Sequence, residues 1–262
     1  MEYVLLEKQG PVSVITINNP KALNALSTKV LNDLEEAVNT VANDDETLAV
    51  VITGAGDKSF VAGADIAEMK DKNVEEAAEY GAYGNKIFRS IETMDKPVIA
   101  AINGFALGGG NELAMSCDIR LAADNAVFGQ PEVGLGITPG FGGTQRLARI
   151  VPVGIAKEII FGGRNIKADK ALSIGLVNAV YPHDELMPAA LKLANNIAKN
   201  APKAVAASKR AINKGLEGTM DEGIALEVSE FSGCFDTEDQ KYGMEYFLDK
   251  NKEKPAKQFK NR

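Results

Sequence analysis

Hydrophobic positions along the chain fall into two periods. Val12-Ser13-Val14-Ile15-Thr16-Ile17 alternates and is rich in β-branched residues, which predicts a strand; Asn18-Asn19-Pro20 ends it. Val30, Leu31, Leu34, Val38 and Val41 recur at helical spacing and predict an amphipathic helix over roughly 28–42. Two short continuous apolar runs, 48–53 (LAVVIT) and 97–102 (PVIAAI), have the pattern of strands buried on both faces. Further strands are predicted at 118–122 and 176–180, with helices at 74–92, 109–117, 143–150 and 153–161. Such alternation predicts an α/β core with parallel pairing.

Beyond residue 183 the pattern is only helical, with segments at 184–199, 202–214, 219–232 and 237–249. Asp184 is placed to cap the first, and Pro202 suits a first helical turn. Thr219 with Glu222, and Thr237 with Gln240, have capping-box spacing. The expected organisation is a core over 1–199 followed by a helical region over 200–262.

Composition narrows the class. The chain has 262 residues, 45% hydrophobic and 25% charged, which excludes a disordered or fibrous protein. No apolar run is long enough to span a bilayer, and the first residues do not form a signal peptide. With only Cys117 and Cys234, a disulfide framework or thiolate metal cage is not expected, and the chain is expected in the reducing cytoplasm. A net charge of −7 argues against a nucleic-acid partner, although residues 250–262 carry six basic residues (Lys250, Lys252, Lys254, Lys257, Lys260, Arg262) against Glu253. That tail reads either as a solvated end or as a phosphate contact. The single histidine, His183, excludes a multi-histidine metal centre, and no GxSxG elbow accompanies it. Any acid–base chemistry would fall to carboxylates.

Three glycine-rich stretches are candidates. Residues 54–59 (GAGDKS) fail as a phosphate loop: Val51 stands where the first glycine would precede Gly56. They fail as a dinucleotide fingerprint because position 59 is Ser59. Residues 104–107 read as a turn, and Gly108-Gly109-Gly110-Asn111-Glu112 then opens a helix. Its free amides and the positive end of the dipole suit an anion or a developing oxyanion. Gly129-Gln130-Pro131-Glu132 carries one carboxylate on a rigid loop, and 139–143 is again dense in glycine. From pattern alone, Glu112 could simply compensate the helix dipole and Glu132 could be a solvated loop residue.

Taken together, residues 18–26 (NNPKALNAL), 62–66 (AGADI), 97–112 (PVIAAINGFALGGGNE), 117–120 (CDIR) and 128–149 (FGQPEVGLGITPGFGGTQRLAR) resemble the crotonase, or enoyl-CoA hydratase, family over nearly the whole chain. The resemblance implies a spiral of ββα turns with a C-terminal helical trimerisation region. It also implies a homo-oligomer, a hexamer built as a dimer of trimers. The implied substrate is an acyl-CoA thioester, with no cofactor beyond the CoA it carries and no metal. Carried over by motif, Ala64 and Gly109 supply the oxyanion-hole amides, and Glu112 and Glu132 handle the water. Lys21, Ala22, Leu23, Ala62, Asp65, Ile66, Phe259 and Lys260 fall at substrate and CoA positions. Where some relatives have a lysine after the Ala-Asp-Ile segment, this chain has Ala67, so Lys21 or Lys260 is expected to meet the CoA phosphates. Tyr80, Tyr83 and Phe88 are expected to help wall the acyl pocket. The implied reaction is reversible syn hydration of a short 2-enoyl-CoA such as crotonyl-CoA, as in the bacterial short-chain branch, which places the chain in fatty acid and butyrate metabolism. A Δ3,Δ2-enoyl-CoA isomerase and a non-catalytic, RNA-binding member of the same fold are the alternatives.

Overall fold

The alternating segment at 12–17 forms a strand, yet nearly all of it is buried, because it lies inside a sheet covered on both faces. In the computed structural model, which describes residues 1–251 and 255–261, β1 (Val4–Gln9) pairs antiparallel with β2 (Val12–Ile17). The chain continues through α1 (Thr28–Asn43), β3 (Ala49–Gly54), β4 (Ser59–Val61), α2 (Ile66–Met69) and α3 (Val74–Thr93). Next come β5 (Val98–Ile102), β6 (Phe105–Leu107), α4 (Gly109–Ser116), β7 (Ile119–Ala123) and β8 (Val127–Gly129). Then follow α5 (Gly143–Ile150), α6 (Val153–Gly162), β9 (Ile166–Lys167), α7 (Ala168–Ser173), β10 (Ala179–Tyr181) and α8 (Leu186–Ala198). The last helices are α9 (Pro202–Gly215), α10 (Met220–Cys234) and α11 (Glu238–Leu248).

Three successive strand pairs, β3–β4, β5–β6 and β7–β8, each give their first strand to a six-stranded sheet ordered β1-β2-β3-β5-β7-β10. Each gives its second to a four-stranded sheet ordered β4-β6-β8-β9. Neighbouring turns pair in parallel in both sheets. Each pair is followed by helix, so the core is the ββα spiral. One face of the large sheet packs on α1, α3 and α4. The other, through Val12, Val14, Val51, Ile99 and Leu121, packs on Leu186, Ala190 and Ala194 of α8. Burial on both faces is why 48–53 and 97–102 read as unbroken apolar runs.

The helical region is pinned to this core by Lys209 of α9. Its Nζ donates to Asp118 Oδ2 at 2.8 Å, to the Lys96 carbonyl at 3.0 Å and to the Ile91 carbonyl at 3.2 Å. Ile212, Ile224, Val228 and Phe231 are each more than half exposed, leaving an apolar face on α9 and α10; Val205 is half-buried instead. Among the described residues no helix is long and apolar enough to cross a membrane.

Several expectations need correction. Residues 104–107 are not a turn: 105–107 is β6, made a strand by its parallel neighbours β4 and β8. The strand expected at 176–180 begins only at Ala179, because the amides of Leu176 and Val177 turn back to the Ala171 carbonyl that ends α7. Asp184 is no cap; His183–Glu185 forms a 3-10 turn, and no side chain caps α8. The Thr219 box closes in both directions, but only half of the Thr237 box forms, since the Gln240 side chain turns to Met244. Short or non-alternating elements, β1, β4, β8, β9 and α7, carry too little periodicity to be read locally. Lys252, Glu253, Lys254 and Arg262 of the basic tail lie outside the described residues.

Candidate active site

Helix α4 runs through the interior with every residue buried, so its first turn opens into the molecule rather than to solvent. The chain enters it through Gly108, whose φ of +49° a side chain would resist, and whose amide donates to the Gly129 carbonyl at 2.9 Å. The next amide, Gly109, has no partner within the helix because it lies in the first turn. Beside it, Ala64 forms a parallel bridge with Leu26. Leu26 bonds the two flanking residues, donating to the Gly63 carbonyl at 2.8 Å and accepting from the Asp65 amide at 3.1 Å, so the Ala64 amide faces the opposite way. A β-carbon on Gly109 would stand 3.5 Å from Ala64 N. Neither amide donates to a protein acceptor among the described residues. The two sequence-predicted donors are therefore neighbours with free N–H groups.

Glu112 lies one turn further on and is 1% exposed. Its Oε1 accepts from the Phe141 amide at 2.9 Å and the Gly143 amide at 2.6 Å. Burial pushes its carboxyl up to about 7. The charge of Glu132 adds to the rise, while the two amides oppose it. Glu132 opens a 3-10 turn (Glu132–Leu135) after β8, is 9% exposed, and is also raised by burial. Its Oε1 lies 2.7 Å from where a β-carbon on Gly108 would be, so it overlooks the residue before the Gly109 amide. Its Oε2 is buried without a hydrogen-bond partner among the described residues. Both carboxylates thus converge on the start of α4.

Between them sits the Gln130 carboxamide. With nitrogen toward Glu132 it donates to Oε1 at 3.3 Å. The reversed orientation satisfies the surrounding carbonyls better, sending nitrogen to Gly129 O at 3.1 Å and Gly108 O at 3.3 Å. Its oxygen then faces Glu132, where a protonated carboxyl can donate to it.

Six of the predicted substrate residues, Lys21, Ala22, Leu23, Ala62, Asp65 and Ile66, lie in two adjoining segments. Ala62 N donates to Leu23 O at 3.0 Å, which holds the 20–23 turn against the 62–66 segment. Lys21, Ala22, Leu23 and Ile66 are exposed there. Asp65 caps α2, accepting from Ala67 N at 2.9 Å and Glu68 N at 3.3 Å. Phe259 and Lys260 pack elsewhere: the Phe259 ring packs on Tyr242, and Lys260 N donates to Asp239 at 2.7 Å, both on α11. Of the expected wall, Tyr80 and Phe88 instead seat the ring of Phe141, and the Tyr83 hydroxyl turns to Asn32 and Glu35 of α1.

Sequence reasoning missed Asn24, Gln130 and the amides of Phe141 and Gly143. Buried Asn24, at φ +59°, ties the 19–24 turn to the carbonyls of Ala55 and Ser59. All four lie inside quoted motifs, but only the partners they meet in the fold reveal what they do.

A family model for enoyl-CoA hydratase/isomerase matches residues 7–260. The chain is 58% identical to a short-chain-enoyl-CoA hydratase of Clostridium acetobutylicum, covering 99% of this chain and 98% of that one. It is 53% identical to a crotonyl-CoA hydratase of Syntrophomonas wolfei, with 96% of each covered. The crystal structure of an enoyl-CoA hydratase from Bacillus anthracis superposes with a TM-score of 0.94 at 38% identity, over 99% of this chain and all of that one.

Proposed function

The chain belongs to the enoyl-CoA hydratase/isomerase family and is an enoyl-CoA hydratase, and from that premise we propose how its site works. The thioester oxygen lies between the Ala64 and Gly109 amides. Water adds its hydroxyl to C3, the π electrons move toward the carbonyl, and the resulting enolate oxygen is held by two donors already in place. A proton then reaches C2 on the same face. Glu112 takes the proton from water, because two amides stabilise its ionised form. Glu132 carries the proton destined for C2; the Gln130 oxygen accepts from it meanwhile. With Glu132 protonated, the neighbouring charge that raises Glu112 is gone, and Glu112 ionises more readily. CoA enters only as part of the substrate, and no separate cofactor is assigned.

The observation that carries this reading is the convergence of Ala64, Gly109, Glu112 and Glu132 at the start of α4. The preferred substrate is a short chain such as crotonyl-CoA, which the names of the most similar relatives support. We propose that it works in the cytoplasm, in butyrate and fatty acid metabolism, a role that the crotonyl-CoA name of one relative supports for the metabolism. The exposed apolar face of α9 and α10 supports a homo-oligomer, for which we propose two trimers forming a hexamer. The test is loss of the conjugated-thioester absorbance over a series from crotonyl-CoA to long-chain enoyl-CoA. The highest kcat/KM is expected at the short end. No turnover of any member would overturn the reading.

A further inference from the structure

Glu112 is held by a loop, and the loop is held by α3. Tyr80, Gly84, Phe88 and Glu92 recur at four-residue spacing and so form one stripe along α3. The Phe141 ring sits between Tyr80 and Phe88, with centroids at 5.1 and 5.6 Å, and a β-carbon on Gly84 would collide with it. Asn85, beside the stripe, donates to the Gly140 carbonyl at 2.8 Å. At the end of the stripe Glu92 forms a two-pronged pair with Arg146 of α5, Nε to Oε1 at 2.6 Å and Nη2 to Oε2 at 3.1 Å. The third arm of the same guanidinium, Nη1, donates to the Phe141 carbonyl at 2.6 Å. Phe141 and Gly143 supply the two amides on Glu112.

The pair is not a surface decoration: the Arg146 side chain is 11% exposed and that of Glu92 20%. Glu92 is also where the helical region meets the core. Its carbonyl accepts from Asn213 of α9 at 2.9 Å, and Arg89 bridges its carboxylate to Glu217, just beyond α9.

We propose that Arg146, locked by Glu92, is a positioning residue for hydration: it orients the 141–143 backbone so that both amides aim at Glu112. A planar fork suits this role, since it fixes two oxygens of Glu92 and a backbone carbonyl at once. Its charge also acts on the same carboxylate. The charged groups facing Glu112 are Glu132, from the 3-10 turn, and Arg146, from α5. The proposal rests on Glu112 being a proton-transfer group.

The test is Arg146→Gln, assayed for kcat, KM and the pH profile of kcat/KM. Expected are a kcat lower by roughly 10-fold or more, as for a misaimed catalytic group, a KM within about twofold, and a pH profile moved to higher pH, because a positive charge near Glu112 has gone. Glu92→Gln keeps the Arg146 charge and an amide acceptor, so it should lower kcat less and produce no upward shift. If Arg146→Gln leaves an unpaired Glu92 that unfolds the protein, the double variant Glu92→Gln/Arg146→Gln restores a neutral pair and should show the same kcat loss and upward shift. An unmoved profile with wild-type kcat per folded protein would overturn the proposal. Glu112→Gln, run in parallel, separates the two readings: if that variant is fully active, the role given to Glu112 fails; if it is inactive while the Arg146 profile stays put, only the role of Arg146 fails.

Discussion

Glu112 and Glu132 occupy one buried site but are held in opposite ways. Glu112 Oε1 accepts two backbone amides, whereas Glu132 Oε2 has no hydrogen-bond partner among the described residues. One carboxylate is braced as an anion, and the other keeps an oxygen free to work on whatever enters.

Replacing either glutamate should therefore stop the reaction without unseating the substrate. Glu112→Gln and Glu132→Gln are each expected to lower kcat by at least about 10²-fold, since each removes a proton-transfer group. KM should change little, as thioester binding is left to the amides. A variant retaining more than about a tenth of the activity would mark its residue as structural only.

The pair also sets the pH response. With Glu112 as the ionised base and Glu132 as the proton carrier, kcat/KM should fall in acid as Glu112 is protonated, and fall again in alkali as Glu132, raised by burial, loses its proton. A pH–rate series checks this. A profile lacking either limb would contradict it.

Burying Glu112 should cost the fold stability in alkali. Its folded-state value, about 7, lies above the ordinary 4.5. The fold therefore has its full stability with respect to this group below about 4.5 and loses stability as pH rises through 7, by about 3 kcal/mol in all. Glu112→Gln removes the ionisation. Its Tm should lie close to wild type near pH 4 and above it at pH 8, with thermal melts at the two pH values as the measurement. Equal melting temperatures at pH 8 would show that the carboxylate is not strained by burial.

The apolar face of α9 and α10 needs a cover. A helical appendage exposing Ile212, Ile224, Val228 and Phe231 is expected to bury them against further copies. Light scattering at micromolar concentration should give a multiple of three protomers, and a monomer would refute the assembly.

Lys260 is exposed, and its backbone amide donates to Asp239 of α11. If it meets a CoA phosphate from a neighbouring subunit, Lys260→Ala should raise KM several-fold and leave kcat alone, because the contact is the same in ground and transition states. Added salt should shrink the effect. A dephospho-CoA thioester should be insensitive to the substitution if the 3′-phosphate is the partner.

The residues themselves determined a good deal. Periodicity and apolar runs located α1, α3 and the central strands to within a residue or two, because their burial is long enough to leave a pattern. Glu112, Glu132, Ala64 and Gly109 were marked by the motifs shared with the crotonase family; pattern alone left Glu112 open to dipole compensation and Glu132 to a solvated loop. Tertiary structure decided the rest. Strands of two or three residues such as β6 and β9 exist only because neighbouring turns of the spiral offer them backbone partners. The braces on the site, Gln130 beside Glu132 and the Phe141 and Gly143 amides on Glu112, span from two residues to 31 along the chain. Whether a carboxylate is a solvated ornament or a buried group near neutrality depends on which distant amides and charges fold against it. No local pattern encodes that, because desolvation and Coulomb interactions act through space.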